Sequence, residues 1–179
     1  EFISEDGRWQ VNLTRIFIAF STNDYRQWEE FESVFQKPFA EFTNLYRPAH
    51  FSRIGLRYVD VVRRSVLDLA DSQWSELLQP YILGLLSVSK TERFLENLEA
   101  RYELRLSDDK SLLRIVAGFA EHVSDGEKCF MIDSDFHNAG KTAIDGAWEK
   151  LGYFKKEATK FFRWCITKKL HDAMEPEGL

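Results

Sequence analysis

Three stretches in the second half of the chain alternate between apolar and polar residues with a period of two. They span about residues 93–106, 111–122 and 127–137, and the polar segments 107–110 and 124–126 connect them. A period of two is typical of β-strands, and connections this short join antiparallel neighbours. The sequence therefore predicts an antiparallel meander, which limits the fold to classes built on such a sheet.

Apolar residues elsewhere recur at the spacing of amphipathic helices. Residues 25–42 carry a stripe of six aromatic side chains: Tyr25, Trp28, Phe31, Phe35, Phe39 and Phe42. The spacing predicts a long helix here, kinked or split at Pro38. It predicts a second long helix over residues 142–174, with a break at Gly152, and short helical pieces over residues 73–86.

Further strands are predicted at residues 9–13, 16–20 and 51–64. The order of elements gives two β-α lobes, each with antiparallel strands against a long helix. We therefore expect an α+β fold with a curved antiparallel sheet that grips amphipathic helices. Residues 1–179 are predicted to form a single domain, with a lobe boundary at 65–72.

Composition narrows the function. The chain has a net charge of -5 and a pI near 5.5, which argues against a nucleic-acid-binding surface. No apolar run approaches the length of a membrane span, and no cofactor motif is present. The two cysteines, Cys129 and Cys165, lie in apolar-periodic segments and are interpreted as free buried thiols. Free thiols predict a cytoplasmic protein. The absence of a cofactor motif predicts that the protein has no cofactor.

Several phrases of the sequence resemble a sporadically distributed bacterial protein family of unknown function. The phrases are SEDGRW, YRQWEEF, RIGLRY and FRWCIT, which begin at Ser4, Tyr25, Arg53 and Phe162. The resemblance covers most of the chain and implies no activity. It implies that the chain is the C-terminal portion of a longer protein. A missing upstream segment would leave a strand edge exposed near residues 9–20, so a homodimer through that edge is predicted.

One metal site is predicted on the third strand of the meander. Asp133, Asp135 and His137 alternate along it, so their side chains project from one face of the sheet. Carboxylate and imidazole groups are common metal ligands, and such a site would suit a metal-assisted hydrolase. The competing interpretation is a solvated strand face, because the spacing supplies no fourth ligand.

An acidic residue follows the apolar face of the strand over residues 51–64. Ile54, Leu56 and Tyr58 share one face by their spacing, and Asp60 comes next on that face. A carboxyl group there must be paired, protonated or placed at the solvent-exposed end of the strand. Asp60 is therefore either an acid in a pocket or a residue that a bulge turns outward.

The same strand carries arginines on its other face. Arg53 and Arg57 could bind a phosphate or carboxylate ligand, together with Arg63 and Arg64 farther along. They could equally pair with acidic residues across strands, for which Glu99 and Glu103 are candidates.

The sequence contains no nucleophile elbow and no phosphate-binding loop. It therefore favours a non-catalytic module that binds a protein or small-molecule partner. One alternative is the metal-assisted hydrolase described above. Another is a small-molecule sensor with a cavity that aromatic residues line and Arg57 approaches.

Overall fold

A computed structural model describes residues 1–88 and 90–174. The chain divides into two compact units. The first comprises residues 1–51 and 143–145, and the second comprises residues 52–142 and the chain from residue 146 onward. Within the described residues, no helix is long and apolar enough to cross a membrane. Residues 65–72, proposed above as a lobe boundary, lie inside the second unit.

The first unit is a small antiparallel sheet with one long helix. Its elements are β1 (Phe2–Ile3), β2 (Trp9–Leu13), β3 (Ile18–Thr22) and α1 (Trp28–Tyr46). The strand order is β1-β2-β3. Aromatic rings join sheet and helix, since the Phe20 ring stacks on Trp9 at 5.2 Å and on Phe35 at 4.8 Å. The predicted aromatic stripe therefore packs against the predicted strands.

Two details of α1 differ from the prediction. The helix begins at Trp28, so Tyr25 precedes it and lies 42% exposed. Pro38 lies inside the helix without ending it. The proline ring removes one backbone hydrogen bond of the helix, and Phe35, about one turn before it, packs on Phe20 of the sheet.

The second unit holds a four-stranded antiparallel sheet and several helices. Its elements are β4 (Phe51–Val62), α2 (Trp74–Leu77), α3 (Pro80–Leu83), β5 (Glu99–Arg105), β6 (Ser111–Glu121), β7 (Lys128–Thr142), α4 (Ala147–Cys165) and α5 (Lys168–Ala173). The strand order is β4-β7-β6-β5. The predicted meander is confirmed, but its first strand starts at Glu99 because residues Glu92–Phe94 form a 3-10 turn. The protein is α+β with two antiparallel sheets.

The four-stranded sheet has two different faces. One face carries the core of the unit, where Phe130, Ile132 and Phe136 are fully buried. Trp74 of α2 packs on Phe130 at 5.7 Å between ring centroids, and Phe161 of α4 packs on Phe136 at 6.2 Å. We call this the core face. The opposite face carries Arg53, Arg57, Asp133 and Asp135, and we call it the charged face.

The closing helix breaks in a different place from the one predicted. The sequence predicts a break at Gly152, but α4 runs through that residue, and the break lies at residues 166–167. Ile166 forms a β-bridge with Leu78, and the Thr167 N–H donates to the Leu77 carbonyl at 2.9 Å. Thr167 then caps α5 through its side chain, which accepts from the Leu170 N–H.

Candidate functional site

The arginines of β4 pair with the aspartates of β7 on the charged face. Arg57 binds Asp133 through two hydrogen bonds, at 2.7 Å from Nε to Oδ1 and 2.6 Å from Nη2 to Oδ2. Arg53 Nη2 contacts both carboxylate oxygens of Asp135, at 3.0 and 2.8 Å. This order of contacts also shows that β4 runs antiparallel to β7. Each guanidinium already has a carboxylate partner, so neither is free for an anionic ligand.

These pairs belong to a longer row of alternating charges. Arg114 of β6 lies opposite both Asp135 of β7 and Glu103 of β5, and its Nε donates to Glu103 at 2.7 Å. Glu99 pairs with Arg101 of its own strand at 2.9 Å. The expected pairing across strands therefore occurs, but Glu99 and Glu103 serve other arginines than Arg53 and Arg57. The row stabilises the sheet without leaving a net charge.

Asp133, Asp135 and His137 lie on one side of β7, as their spacing predicts. His137 is only 4% exposed, and its Nδ1 lies 3.5 Å from Asp135 Oδ2. Among residues 1–88 and 90–174, no group of three or more His, Cys, Asp or Glu side chains is arranged to hold a metal ion. A metal would have to displace two arginines, so the metal site stays a hypothesis that the local pairing disfavours.

Asp60 lies on the core face, near the end of β4. It is half-buried there, next to the buried Val62 and on the same side as Ile54 and Leu56. No hydrogen bond or ion pair joins its carboxyl group to another described residue. Burial without a partner disfavours the ionised form and raises the pKa of Asp60 from 3.8 to about 6. Of the two interpretations above, the geometry favours an acid in a pocket.

Asp60 is one of the residues that line a cleft of about 250 Å³. The cleft is lined by residues of β4, the segment after it, α4 and the end of α5: Asp60, Val61, Val62, Arg63, Val66, Leu67, Phe162 and Met174. We call it the Asp60 cleft. Apart from Asp60 and Arg63, its side chains are apolar, so its walls suit a hydrocarbon group.

Arg63 does not neutralise Asp60, although both line the cleft. Its Nε donates to Glu127 at 2.8 Å, its Nη2 binds Asp125, and its Nη1 lies 3.3 Å from His122 Nε2. These contacts hold the guanidinium at the β6–β7 turn. The carboxyl group of Asp60 is therefore available to a ligand.

Cys165 is a buried ionisable group near Asp60. It is fully buried, and burial together with the charge of Asp60 raises the pKa of its thiol to about 12. The pKa of Cys129 is also raised, chiefly by burial. Because the thiolate is the nucleophilic form, neither cysteine is suited to covalent catalysis.

Ser124, His122 and Asp125 lie close together at the β6–β7 turn but do not form a catalytic relay. Ser124 Oγ and Asp125 Oδ1 both contact Nδ1 of His122, at 2.9 and 3.1 Å. The opposite ring nitrogen faces the Arg63 guanidinium. A relay needs the acid and the nucleophile on different ring nitrogens, so this cluster stabilises the turn.

The walls of the Asp60 cleft were missed in the sequence. Phe162 and Cys165 lie about one turn apart on α4. Phe162 is half-buried on the cleft wall, and the buried core residue beside it is Phe161. Residues three apart on a helix lie on the same side of it. This spacing was the feature of the sequence that indicated that Phe162 and Cys165 both lie near Asp60.

Comparison with known proteins gives no relative. The chain matches no protein-family model, no curated protein and no solved structure. The resemblance to a bacterial family of unknown function therefore stays a prediction.

Proposed function

We propose that this chain is a non-catalytic binding module and that its ligand is a small organic cation with an apolar group, bound in the Asp60 cleft. The observation that carries the proposal is the carboxyl group of Asp60, half-buried and without a partner among the described residues. At neutral pH most of this group is ionised, because its pKa is about 6.

Charge and shape together specify the ligand. An ionised carboxylate that burial has partly stripped of water gains strongly from a charge-assisted hydrogen bond. An ammonium group supplies that bond, and the side chains of Phe162, Met174 and Val66 offer apolar surface to the rest of the molecule. An anionic ligand would meet repulsion from Asp60 and no free guanidinium from Arg63.

In this proposal the four-stranded sheet curves around α4 in a helix-grip-like arrangement, and the ligand binds at one end of the sheet. It also places the protein in the cytoplasm, because Cys129 and Cys165 are both free thiols. No observation favours the metal-assisted hydrolase, since Asp133 and Asp135 are paired with arginines.

Binding of cyclohexylmethylamine tests the proposal. This probe is cationic at neutral pH and has the apolar group that the cleft accommodates, while cyclohexylmethanol is its uncharged counterpart. Isothermal titration at pH 7.5 should give an affinity for the amine about tenfold or more above that for the alcohol. The preference should shrink as the pH falls through about 6, because protonation of Asp60 removes the charge that the ammonium group binds.

Two variants make the result specific. Asp60→Asn should remove both the preference for the amine and its pH dependence. Asp71→Asn removes an exposed carboxylate outside the cleft and should leave both unchanged. Equal affinity of the wild type for the amine and the alcohol, or an unchanged preference in Asp60→Asn, would show that the cleft is not a cation site.

A further inference from the structure

Strand β5 forms one edge of the four-stranded sheet. It pairs with β6 on one side, and no other strand of the described residues pairs with its outer side. Six of its seven residues are exposed, and only Ala100 is half-buried. An exposed edge of this length is a template for pairing with another strand. It therefore needs either a partner or a feature that prevents pairing.

The free backbone groups of this edge can be assigned from the hydrogen bonds at its two ends. The Leu106 N–H donates to Ser111 at 2.9 Å, and the Phe119 N–H donates to Leu98 at 2.9 Å. Hydrogen-bonded pairs alternate along an antiparallel ladder, so the even-numbered residues of β5 face β6. The N–H and C=O groups of the odd-numbered residues point outward: Glu99, Arg101, Glu103 and Arg105.

The same four residues carry charges that alternate in sign along the strand. A second copy of β5, placed antiparallel with Tyr102 opposite Tyr102, brings Glu99 opposite the partner's Arg105 and Arg101 opposite the partner's Glu103. By symmetry each pair forms twice. Opposite charges at directly facing positions stabilise an antiparallel pair.

We propose that two copies of this chain associate through β5 in this register and form one continuous antiparallel sheet. The outward backbone groups and the complementary charges occur at the same four residues. One arrangement therefore gives the backbone groups hydrogen-bond partners and gives each charge an opposite charge. On the other side of the strand, Tyr102 and Leu104 are 39% and 41% exposed. In the dimer Tyr102 packs against Tyr102 of the second copy, and Leu104 packs against Ala100 of the second copy.

Other registers are disfavoured by charge. Two-fold pairing must keep each side chain on its own face, so the pair can be centred on any residue of β5 but not between two residues. Centring the pair on Arg101 places Glu99 opposite Glu103 and Arg101 opposite itself. Centring it on Glu103 places Arg101 opposite Arg105. Both of these registers oppose like charges. Centring the pair on Ala100 or Leu104 gives only two facing pairs of opposite charge instead of four, so charge favours the register centred on Tyr102.

Charge reversal with complementation tests the proposal. Sedimentation velocity over a range of concentrations should show a monomer–dimer equilibrium for the wild type. Arg101→Glu faces the partner's Glu103, and Glu103→Arg faces the partner's Arg101. Each single variant should therefore dimerise at least about tenfold more weakly. An equimolar mixture of the two variants restores opposite charges at every facing pair, so a heterodimer should form with roughly the wild-type affinity.

The control is Arg163→Glu, which makes the same change in net charge on an exposed helix position. It should dimerise as the wild type does. Circular dichroism of each variant checks that it is folded, so that weaker dimerisation is not caused by unfolding. A wild type that stays monomeric at the highest concentration overturns the proposal. So does a dimer that Arg101→Glu leaves intact, or a mixture of the single variants that fails to associate.

Discussion

The two faces of the four-stranded sheet treat carboxylates in opposite ways. On the charged face, Asp133 and Asp135 each bind an arginine through two short contacts. On the core face, Asp60 has no such partner among the described residues, and its pKa rises to about 6. All three aspartates lie on the neighbouring strands β4 and β7. The difference in their pairing therefore depends on which face of the sheet they occupy and not on the region of the protein.

The pleat of β4 explains why one strand serves both faces. Arg57 and Asp60 are three positions apart, an odd step, so their side chains project from opposite sides of the strand. The strand thus carries its basic residues toward the aspartates of β7 and its acidic residue toward α4. The paired carboxylates therefore stabilise the sheet, whereas the unpaired carboxyl group of Asp60 is available for binding.

Truncation of adjacent residues on β7 should show the largest difference between the two faces. Ile132 is fully buried on the core face, and Met131 lies half-buried on the charged face. Ile132→Ala should lower the free energy of unfolding by about 2–5 kcal/mol, because it leaves a cavity in a packed core. Met131→Ala should cost about 1 kcal/mol or less. Urea denaturation measures both, and equal losses would mean that the charged face is packed as tightly as the core.

The alternation that underlies this prediction was readable in the sequence. Spacing alone predicts that Ile54 and Leu56 share the apolar face of their strand. It leaves Asp60 open between that face and a bulge that turns it outward. The partners of Arg53 and Arg57 were not readable, because the register between β4 and β7 depends on packing between strands that are distant in sequence. The break at Thr167 was missed for a similar reason, since the bridge between Ile166 and Leu78 is a long-range contact.

Removal of the charge of Asp60 should stabilise the protein in a pH-dependent way. The pKa of Asp60 is raised from 3.8 to about 6 in the folded chain. The associated stability is complete below pH about 4 and is lost as the pH rises through about 6. At pH 8 the ionised group costs up to about 3 kcal/mol, a cost that Asp60→Asn avoids.

The measurement is the difference in unfolding free energy between Asp60→Asn and the wild type at a series of pH values. Taking the difference cancels the opposite trend of carboxylates with lowered pKa values, such as Glu76 and Glu103. The difference should favour the variant at pH 8 and approach zero near pH 4. A difference that stays constant over this range would mean that Asp60 finds a partner in solution, and the comparison between the two faces would then fail.

The smallest effect is expected for the ion pairs of the charged face. Arg57 and Asp133 make short, bidentate contacts, but the arginine side chain is 63% exposed, so water and salt screen the attraction. A double-mutant cycle of Arg57→Ala and Asp133→Asn should give a coupling free energy of about 0.2–1 kcal/mol, which falls when the salt concentration is raised. Arg53→Ala with Asp135→Asn serves as a second cycle on the same face and should behave alike. A coupling free energy well above this range that salt does not reduce would mean that the charged face is shielded from solvent. The carboxylates of the two faces would then differ only in whether they have a partner.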